Sequence, residues 1–402
     1  MGGLPSRLPE RPRTKPALDP FRTSGGLILL VHDVFGLGHS IQDDRDGTLW
    51  RLLGLMDGTR DVPQVIRDFR ALNGSSSASD VRKAISRLYG LGVVEDAAAP
   101  PPPEFTSEEQ ARYSRNLDFF SGLTLGTDRS SYDLQRRLRS ARVTVLGVGG
   151  VGGSTAASLA AAGVGHLRLI DADRVEVSNL NRQLLFGVRD IGRPKVEAAA
   201  DRLRDLNPNV SVRVEERLVR HPEELPALLQ DCDLFVLGAD RPHEILLWTN
   251  DAAVKSATAW LENSYSGPRC AIALFRPGVT PCLRCMEHHL ERRARSLGLH
   301  EGQYAFPHGA SNPALAATVN VAGHLGALQA LYFLTGVQSV AEGALLQYNL
   351  WDPSDVRVEK APRWPDCPAC GVSQGRDSHP SSMPGPRSAR RQRRGPPAGG
   401  RR

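Results

Sequence analysis

No stretch of the 402 residues approaches the ~18 consecutive apolar residues that a membrane-spanning helix needs. The apolar patch Gly26–Val31 is too short, and too far into the chain, to be a signal peptide. The expected setting is therefore cytoplasmic and reducing, with no membrane partner. No segment repeats at a fixed period, which argues against solenoid and propeller architectures. Surplus positive charge is also missing from most of the chain. The net charge is +6, yet residues 372–402 hold eight Arg against one Asp, so the remainder is close to neutral at about −1. The basic character belongs to a tail rich in Gly, Pro and Ser, for which disorder is expected.

What is present is a chain with 40% hydrophobic residues, enough for one large core and a smaller domain. Residues 1–25 are Pro- and Arg-rich and read as a loose N-terminal segment. Residues 26–96 read as a small compact domain. It opens with the strand-like "GLILLVHDV" and the helical "GTLWRLLGLMDGT". Asp61 follows as an N-cap with Pro63 in the first turn, and a further helix is capped by Ser79 and stopped at Gly90 or Gly92. Residues 97–104, containing "AAAPPPP", form a Pro-rich spacer. Residues 105–371 alternate strand-like and helix-like segments, the pattern of a parallel α/β sheet. In that part "PALAATVNVAGHLGALQALYFLTG" is apolar almost all round and reads as a buried helix ended by Gly336. The tail occupies residues 372–402.

The most informative stretch is "VTVLGVGGVGGSTAASLAAAGVGHLRLIDADRVEVSNLNRQ". Gly147, Gly149, Gly150 and Gly152 give GxGGxG between a strand and a helix. Such a loop lets backbone N–H groups approach a phosphate at the helix N-terminus. Asp171 ends the next strand, where it can accept from ribose hydroxyls. This much suits NAD, FAD or ATP equally. The following run, with Asn179, Arg182, Gln183 and Lys195, favours a nucleotide attacked at its α-phosphate. There, negative charge moving onto departing pyrophosphate calls for cations. Asp240 follows the apolar "LFVLGA", where an open sheet binds ligands and a carboxylate can hold Mg²⁺.

From "RYSRN" to "CPAC" these motifs resemble the ThiF/MoeB-like adenylating enzymes related to ubiquitin-activating enzymes. That family's pattern is RYxRQ, GxGGxG, DxDxVxxSNLxRQ, GxxK, an aspartate after a later strand, and two CxxC pairs. The resemblance implies a Rossmann-like ATP-binding sheet in which Gly150 and Asp171 hold the adenosine. Asp173 and Ser178, in the same motif, would line the nucleotide site. Asn179, Arg182 and Lys195 would contact phosphates, and Asp240 would support Mg²⁺ and adenylation. Arg115 would reach across a homodimer interface. The implied reaction is attack of a carboxylate on the ATP α-phosphate, giving an acyl-adenylate and pyrophosphate. Two positions depart from the pattern. Asn116 stands where Gln is usual, and Arg241 stands where Asn commonly follows the aspartate.

Cys282, Cys285, Cys367 and Cys370 form two CxxC pairs about eighty residues apart, a spacing suited to one structural Zn²⁺ with four thiolate ligands. No cysteine lies between Cys285 and Cys367, the interval in which thioester-forming relatives carry a nucleophile, so no enzyme thioester is expected. Cys232 and Cys270 adjoin apolar runs and read as core residues. His308 and His324 read as loop or core histidines.

The small domain, with strands around three helices, has a winged-helix outline. Its helix "SDVRKAISRLYG" has only three basic residues and no interleaved aromatics, so nucleic acid is not the expected partner. Its apolar spacing around "DGT" resembles the PqqD-type peptide-recognition domains of ribosomal-peptide biosynthesis. Such domains bind a leader peptide by strand addition. The sequence therefore predicts an α/β enzyme: a ThiF-type Rossmann-like sheet with a structural zinc, preceded by a small winged-helix-like α+β domain. It would adenylate a precursor peptide or a small carrier protein as a homodimer. The alternatives are a non-catalytic leader-peptide carrier serving a partner modifying enzyme, activation of a sulfur-carrier protein, and, last, a NAD-dependent oxidoreductase.

Overall fold

A computed structural model describes residues 8–32, 37–74, 76–125, 127, 129–299 and 312–371. The expectations for His308 and for the tail 372–402 lie outside the described residues. Near the N-terminus, β2 (Asp19–Arg22), β3 (Leu27–His32) and β4 (Leu37–Gln42) form an antiparallel sheet with β3 in the centre. Ile28 and Leu30, alternate residues of β3, are fully buried. They pack with helices α1 (Thr48–Leu55), α2 (Val62–Leu72) and α3 (Ala78–Gly90). Helix α2 buries Val62, Val65, Ile66 and Phe69, one face at helical spacing, and starts on the expected Asp61 cap, reciprocated by Gln64. The cap of α3 is Ser77 instead of Ser79: its side chain accepts the Asp80 N–H at 3.1 Å.

The N-terminal segment is not loose where it is described. β1 (Pro12–Thr14) pairs antiparallel with β5 (Val94–Asp96), and the Asp96 carboxylate accepts the N–H groups of Glu10 and Arg11 at 2.8 and 2.9 Å. A three-residue strand whose partner lies some eighty residues away leaves no periodicity to read. β2 and β4 were equally hidden, being short and polar.

The remaining residues build one eight-stranded sheet in the order β13-β12-β11-β10-β9-β6-β7-β8. Helices α4 (Ser107–Arg112), α5 (Ser114–Leu123) and α6 (Ser131–Ser140) precede it. The chain then runs β6 (Arg142–Leu146), α7 (Gly150–Ala161), β7 (His166–Asp171), α8 (Lys195–Leu206) and β8 (Ser211–Glu216). Next come α9 (Leu225–Leu229), β9 (Leu234–Leu237), α10 (Ile245–Ser256) and β10 (Trp260–Ser266). Strands β6 to β10 are parallel, as the alternating pattern predicts. β11 (Arg269–Phe275), β12 (Ala344–Asn349) and β13 (Val356–Lys360) extend the sheet antiparallel, so it is mixed instead of wholly parallel. The reversal begins at a tight turn through Gly267, which has φ 55°. Helices α11 (Leu283–Ser296) and α12 (Ala316–Thr335) lie between β11 and β12 in sequence. Among the described residues no helix is long and apolar enough to cross a membrane.

Helix α12 ends at Gly336 with φ 72°, as expected, and packs on α7. The two backbones approach so closely that a Cβ on Gly323 would lie 2.5 Å from Ser154 Cβ and 2.6 Å from the Val151 oxygen. This seam fixes the direction of α7, and with it the loop that precedes the helix. β6 lies between β7 and β9, so successive crossovers leave in opposite directions from it. That is where an open α/β sheet forms its ligand crevice.

Candidate active site and metal centre

The glycine loop joins β6 to α7, and its four glycines have different physical roles. Gly147 takes φ 88°, and a Cβ there would sit 2.6 Å from the Ala239 nitrogen just past β9. Gly152 would place a Cβ 1.9 Å from the Gly147 oxygen, and Gly150 would place one 2.3 Å from Val319 Cγ1 on α12. These three are required by the protein's own packing. Gly149, the N-cap of α7, faces the Gln183 amide, which would lie 3.6 Å from its Cβ. Gln183 Oε1 is buried and has no hydrogen-bond partner among the described residues. The open backbone at this helix N-terminus suits a phosphate, and the unpartnered amide oxygen suits a hydroxyl donor such as that of a ribose.

Asp171, at the end of β7, ties the loop together. One carboxylate oxygen accepts from the Val148 N–H and the other from the Asp173 N–H, both at 2.8 Å. Burial raises its pKa, while those two N–H groups and Lys195 pull the other way. Lys195, the first residue of α8, is buried and its ammonium lies 2.8 Å from the Asp173 carboxylate, which is 70% exposed. Asn179 is buried and its side chain accepts the Glu176 N–H at 3.1 Å, bracing the short turn that carries Ser178 and Arg182. The Ser178 hydroxyl is exposed and donates to Glu176. Arg182 is half-buried, donating to the Ser178 carbonyl and to Asn181.

Asp240 is exposed three residues beyond β9. Tyr265 of β10 lies within electrostatic reach of both Asp240 and Arg182. Burial raises the Tyr265 phenol above its ordinary pKa; Arg182 opposes the shift, and the Asp240 carboxylate adds to it. Sequence reasoning missed Tyr265 because one tyrosine in a polar run has no spacing to mark it. It also missed Asn320 of α12, whose amide donates to the Arg182 carbonyl at 3.0 Å and whose oxygen accepts from Ser154.

Arg115 on α5 is not brought to this cluster within the chain. Its side chain is 94% exposed and pairs only with Asp118, at 3.4 Å, among the described residues. The neighbouring Asn116 serves the packing of the helices. Its amide donates to Gln135 and to the Ala162 carbonyl, pinning α5 to α6 and α7. His324 is likewise occupied, with Nδ1 2.8 Å from the Ser158 hydroxyl. Cys270 is buried and Cys232 partly so, in keeping with core positions.

Cys282, Cys285, Cys367 and Cys370 meet at the start of α11, with all four sulfurs within 4.8 Å of one another. The separations of 3.9, 3.6 and 3.4 Å are close to the ~3.8 Å that Zn–S bonds of ~2.3 Å impose in a tetrahedron. The donor set therefore fits zinc. Four protein ligands leave no open position for substrate, so such an ion would brace the fold.

Residues 113–369 match the ThiF family. The chain is 31% identical over 279 residues to the vegetative HesA protein of Trichormus variabilis, covering 69% of this chain and 96% of that one. The sulfur carrier protein adenylyltransferase of Thermus thermophilus is 34% identical over 274 residues, 66% of this chain and 93% of that one. Among solved structures, E. coli MccB with AMPCPP and MccA shares the fold at 21% identity and a TM-score of 0.67. The match covers 90% of this chain and 99% of that one. MccB is described as a microcin C7 biosynthetic enzyme.

Proposed function

The chain belongs to the ThiF family and is an ATP-dependent adenylyltransferase, and from that premise we propose that it activates a carboxyl or amide group on a ribosomally made precursor peptide. The observation that carries the nucleotide part is the set at the carboxyl ends of β6, β7 and β9. It comprises the unpartnered Gln183 oxygen, buried Lys195, and Arg182 and Asp240, whose charges both act on the Tyr265 phenol. In this reading Asp171 takes the ribose and the α7 N-terminus takes phosphate. Lys195, freed from Asp173, follows the charge that develops on pyrophosphate. A substrate oxygen forms the new bond to the α-phosphorus as the bond to the β-phosphate oxygen breaks. Asp240 would hold Mg²⁺, which would offset the phosphate charge. Arg115, exposed and paired only with Asp118 among the described residues, would act in the site of a second copy.

The small unit supports the choice of a peptide. β4 pairs with β3 alone among the described residues, and its other edge is open to an added strand. The adenylate would pass directly to a nucleophile, since no cysteine lies between Cys285 and Cys367. A second reading, activation of a sulfur-carrier protein, is favoured by the Thermus relative, which is named for that substrate. It leaves the small unit without a role.

Thermal unfolding with Mg·ATP and separately with NAD tests the nucleotide part. A ligand at a hundred times its Kd stabilises by ~2.7 kcal/mol, so Mg·ATP should raise Tm by a few degrees and NAD should not. Lys195→Ala should lose the shift. A shift with NAD alone would overturn the reading. Pyrophosphate exchange driven by synthetic precursor peptides, absent in Asp240→Asn, tests the rest.

A further inference from the structure

Tyr265 is firmly held, and its hydroxyl serves nothing in the fold. The residue lies near the carboxyl end of β10, opposite Cys270 of β11. Its carbonyl accepts from the Asn312 amide at 2.8 Å, and the Asn312 oxygen accepts the Gly267 N–H at 3.0 Å, so the start of the β10–β11 turn is pinned. The ring packs against the core that includes α7 and α12, and a phenylalanine would serve that packing equally well. Among the described residues no acceptor takes the phenol O–H. Tyr265 is partly exposed, and its oxygen is not one of the buried side-chain atoms without a partner, so the hydroxyl opens onto accessible surface. Arg182 and Asp240 lie close enough for both charges to act on it.

Neighbouring neutral donors are already engaged. Ser264, on the opposite face of β10, gives its hydroxyl to Glu262 at 2.6 Å. The Asn320 amide donates to the carbonyls of Arg182 and Ala316 at 3.0 and 2.7 Å. Adenylation brings a substrate carboxylate up to an α-phosphate and to Asp240, so three anionic groups converge. A neutral donor orients the incoming carboxylate without the tight ground-state ion pair that a cation would form there. A phenol, with an ordinary pKa of about 10, keeps its proton near neutral pH and remains a donor throughout.

We propose that Tyr265 is a further catalytic residue, which donates its O–H to one oxygen of the substrate carboxylate while the other oxygen attacks the α-phosphorus. The new O–P bond forms as the bond to the oxygen bridging to the β-phosphate breaks. Pyrophosphate leaves with the electron pair, and no proton changes hands. The oxygen held by Tyr265 becomes the carbonyl oxygen of the acyl-adenylate. This role rests on the reading that puts Arg182 and Asp240 at the reacting phosphates, and it selects a carboxylate over an amide as the activated group.

The test needs no knowledge of the peptide. One probe is 5′-O-(N-acetylsulfamoyl)adenosine, which carries the acyl carbonyl of an adenylate; the other is 5′-O-sulfamoyladenosine, which lacks it. Calorimetry on the full chain should show Tyr265→Phe binding the acetylated probe about ten-fold more weakly than the unsubstituted protein, as expected for one lost hydrogen bond to a charged group. The unacylated probe should bind both proteins alike, and the Mg·ATP thermal shift should persist in the variant. Equal affinity of both proteins for the acetylated probe, or an equal loss with both probes, would overturn the role of Tyr265. So would a variant that unfolds cooperatively but has lost the Mg·ATP shift, since the phenol would then serve the phosphates. If the unsubstituted protein binds neither Mg·ATP nor either probe, the nucleotide reading itself falls and takes this role with it. Precursor peptides that fail in pyrophosphate exchange would count against the peptide reading alone.

Discussion

Glu262 of β10 is a carboxyl in the wrong medium. Burial pushes its pKa up to about 7, and its single compensation is the Ser264 hydroxyl donating at 2.6 Å. Between about pH 4.5 and 7 the folded protein keeps a proton that the unfolded chain has released, so stability falls as pH rises through that window. Glu262→Gln should therefore gain on the order of 2 kcal/mol at pH 8 and nothing below pH 4.5, read as a pH-dependent difference in Tm between the two proteins. A difference independent of pH would show that Glu262 titrates alike in the folded and unfolded chains. At this scale the sequence was legible where a residue belongs to a spaced motif. Asp171, Lys195 and Gln183 lie together because their spacing follows from strand, turn and helix lengths. Tyr265 and Glu262 depend on the depth at which one strand enters the sheet, which no local pattern records.

At the scale of elements, the glycines of α7 and α12 do more for packing than for any ligand. Periodicity revealed α12 as a buried helix, but its nearness to α7 follows from Gly323 and Gly150, positions that a pattern of apolar residues passes over. Gly323→Ala would raise the helix propensity of α12, and on propensity alone it should stabilise. The 2.5 Å approach to Ser154 Cβ decides otherwise: the helices must separate, at a cost of about 2 kcal/mol. Chemical denaturation should show that loss, and Mg·ATP should bind more weakly because α7 carries the glycine loop. A more stable Gly323→Ala protein would contradict the close seam. Of the strands of the large sheet, β6, β7 and β9 were readable, because alternation with helices marks parallel strands. β11, β12 and β13 pair antiparallel around a long excursion, an arrangement that depends on contacts distant in sequence.

For the whole molecule, the cysteine cluster joins positions 85 residues apart, closing a ring that contains α11, α12, β12 and β13. Closing a ring of that size limits the unfolded chain by on the order of 4 kcal/mol in the entropic account. Metal analysis should find about one zinc per chain. Chelation should lower Tm by several degrees. The small unit is built on another closure: β1 pairs with β5, so the points where the chain enters and leaves it are side by side. A unit with adjoining ends is portable. It can be spliced into a surface loop of an unrelated protein, or exchanged for another of its kind, without redrawing the path of the host chain. Under the peptide-docking role proposed for this unit, recombination would change what the enzyme recognises and leave the chemistry of the large sheet untouched.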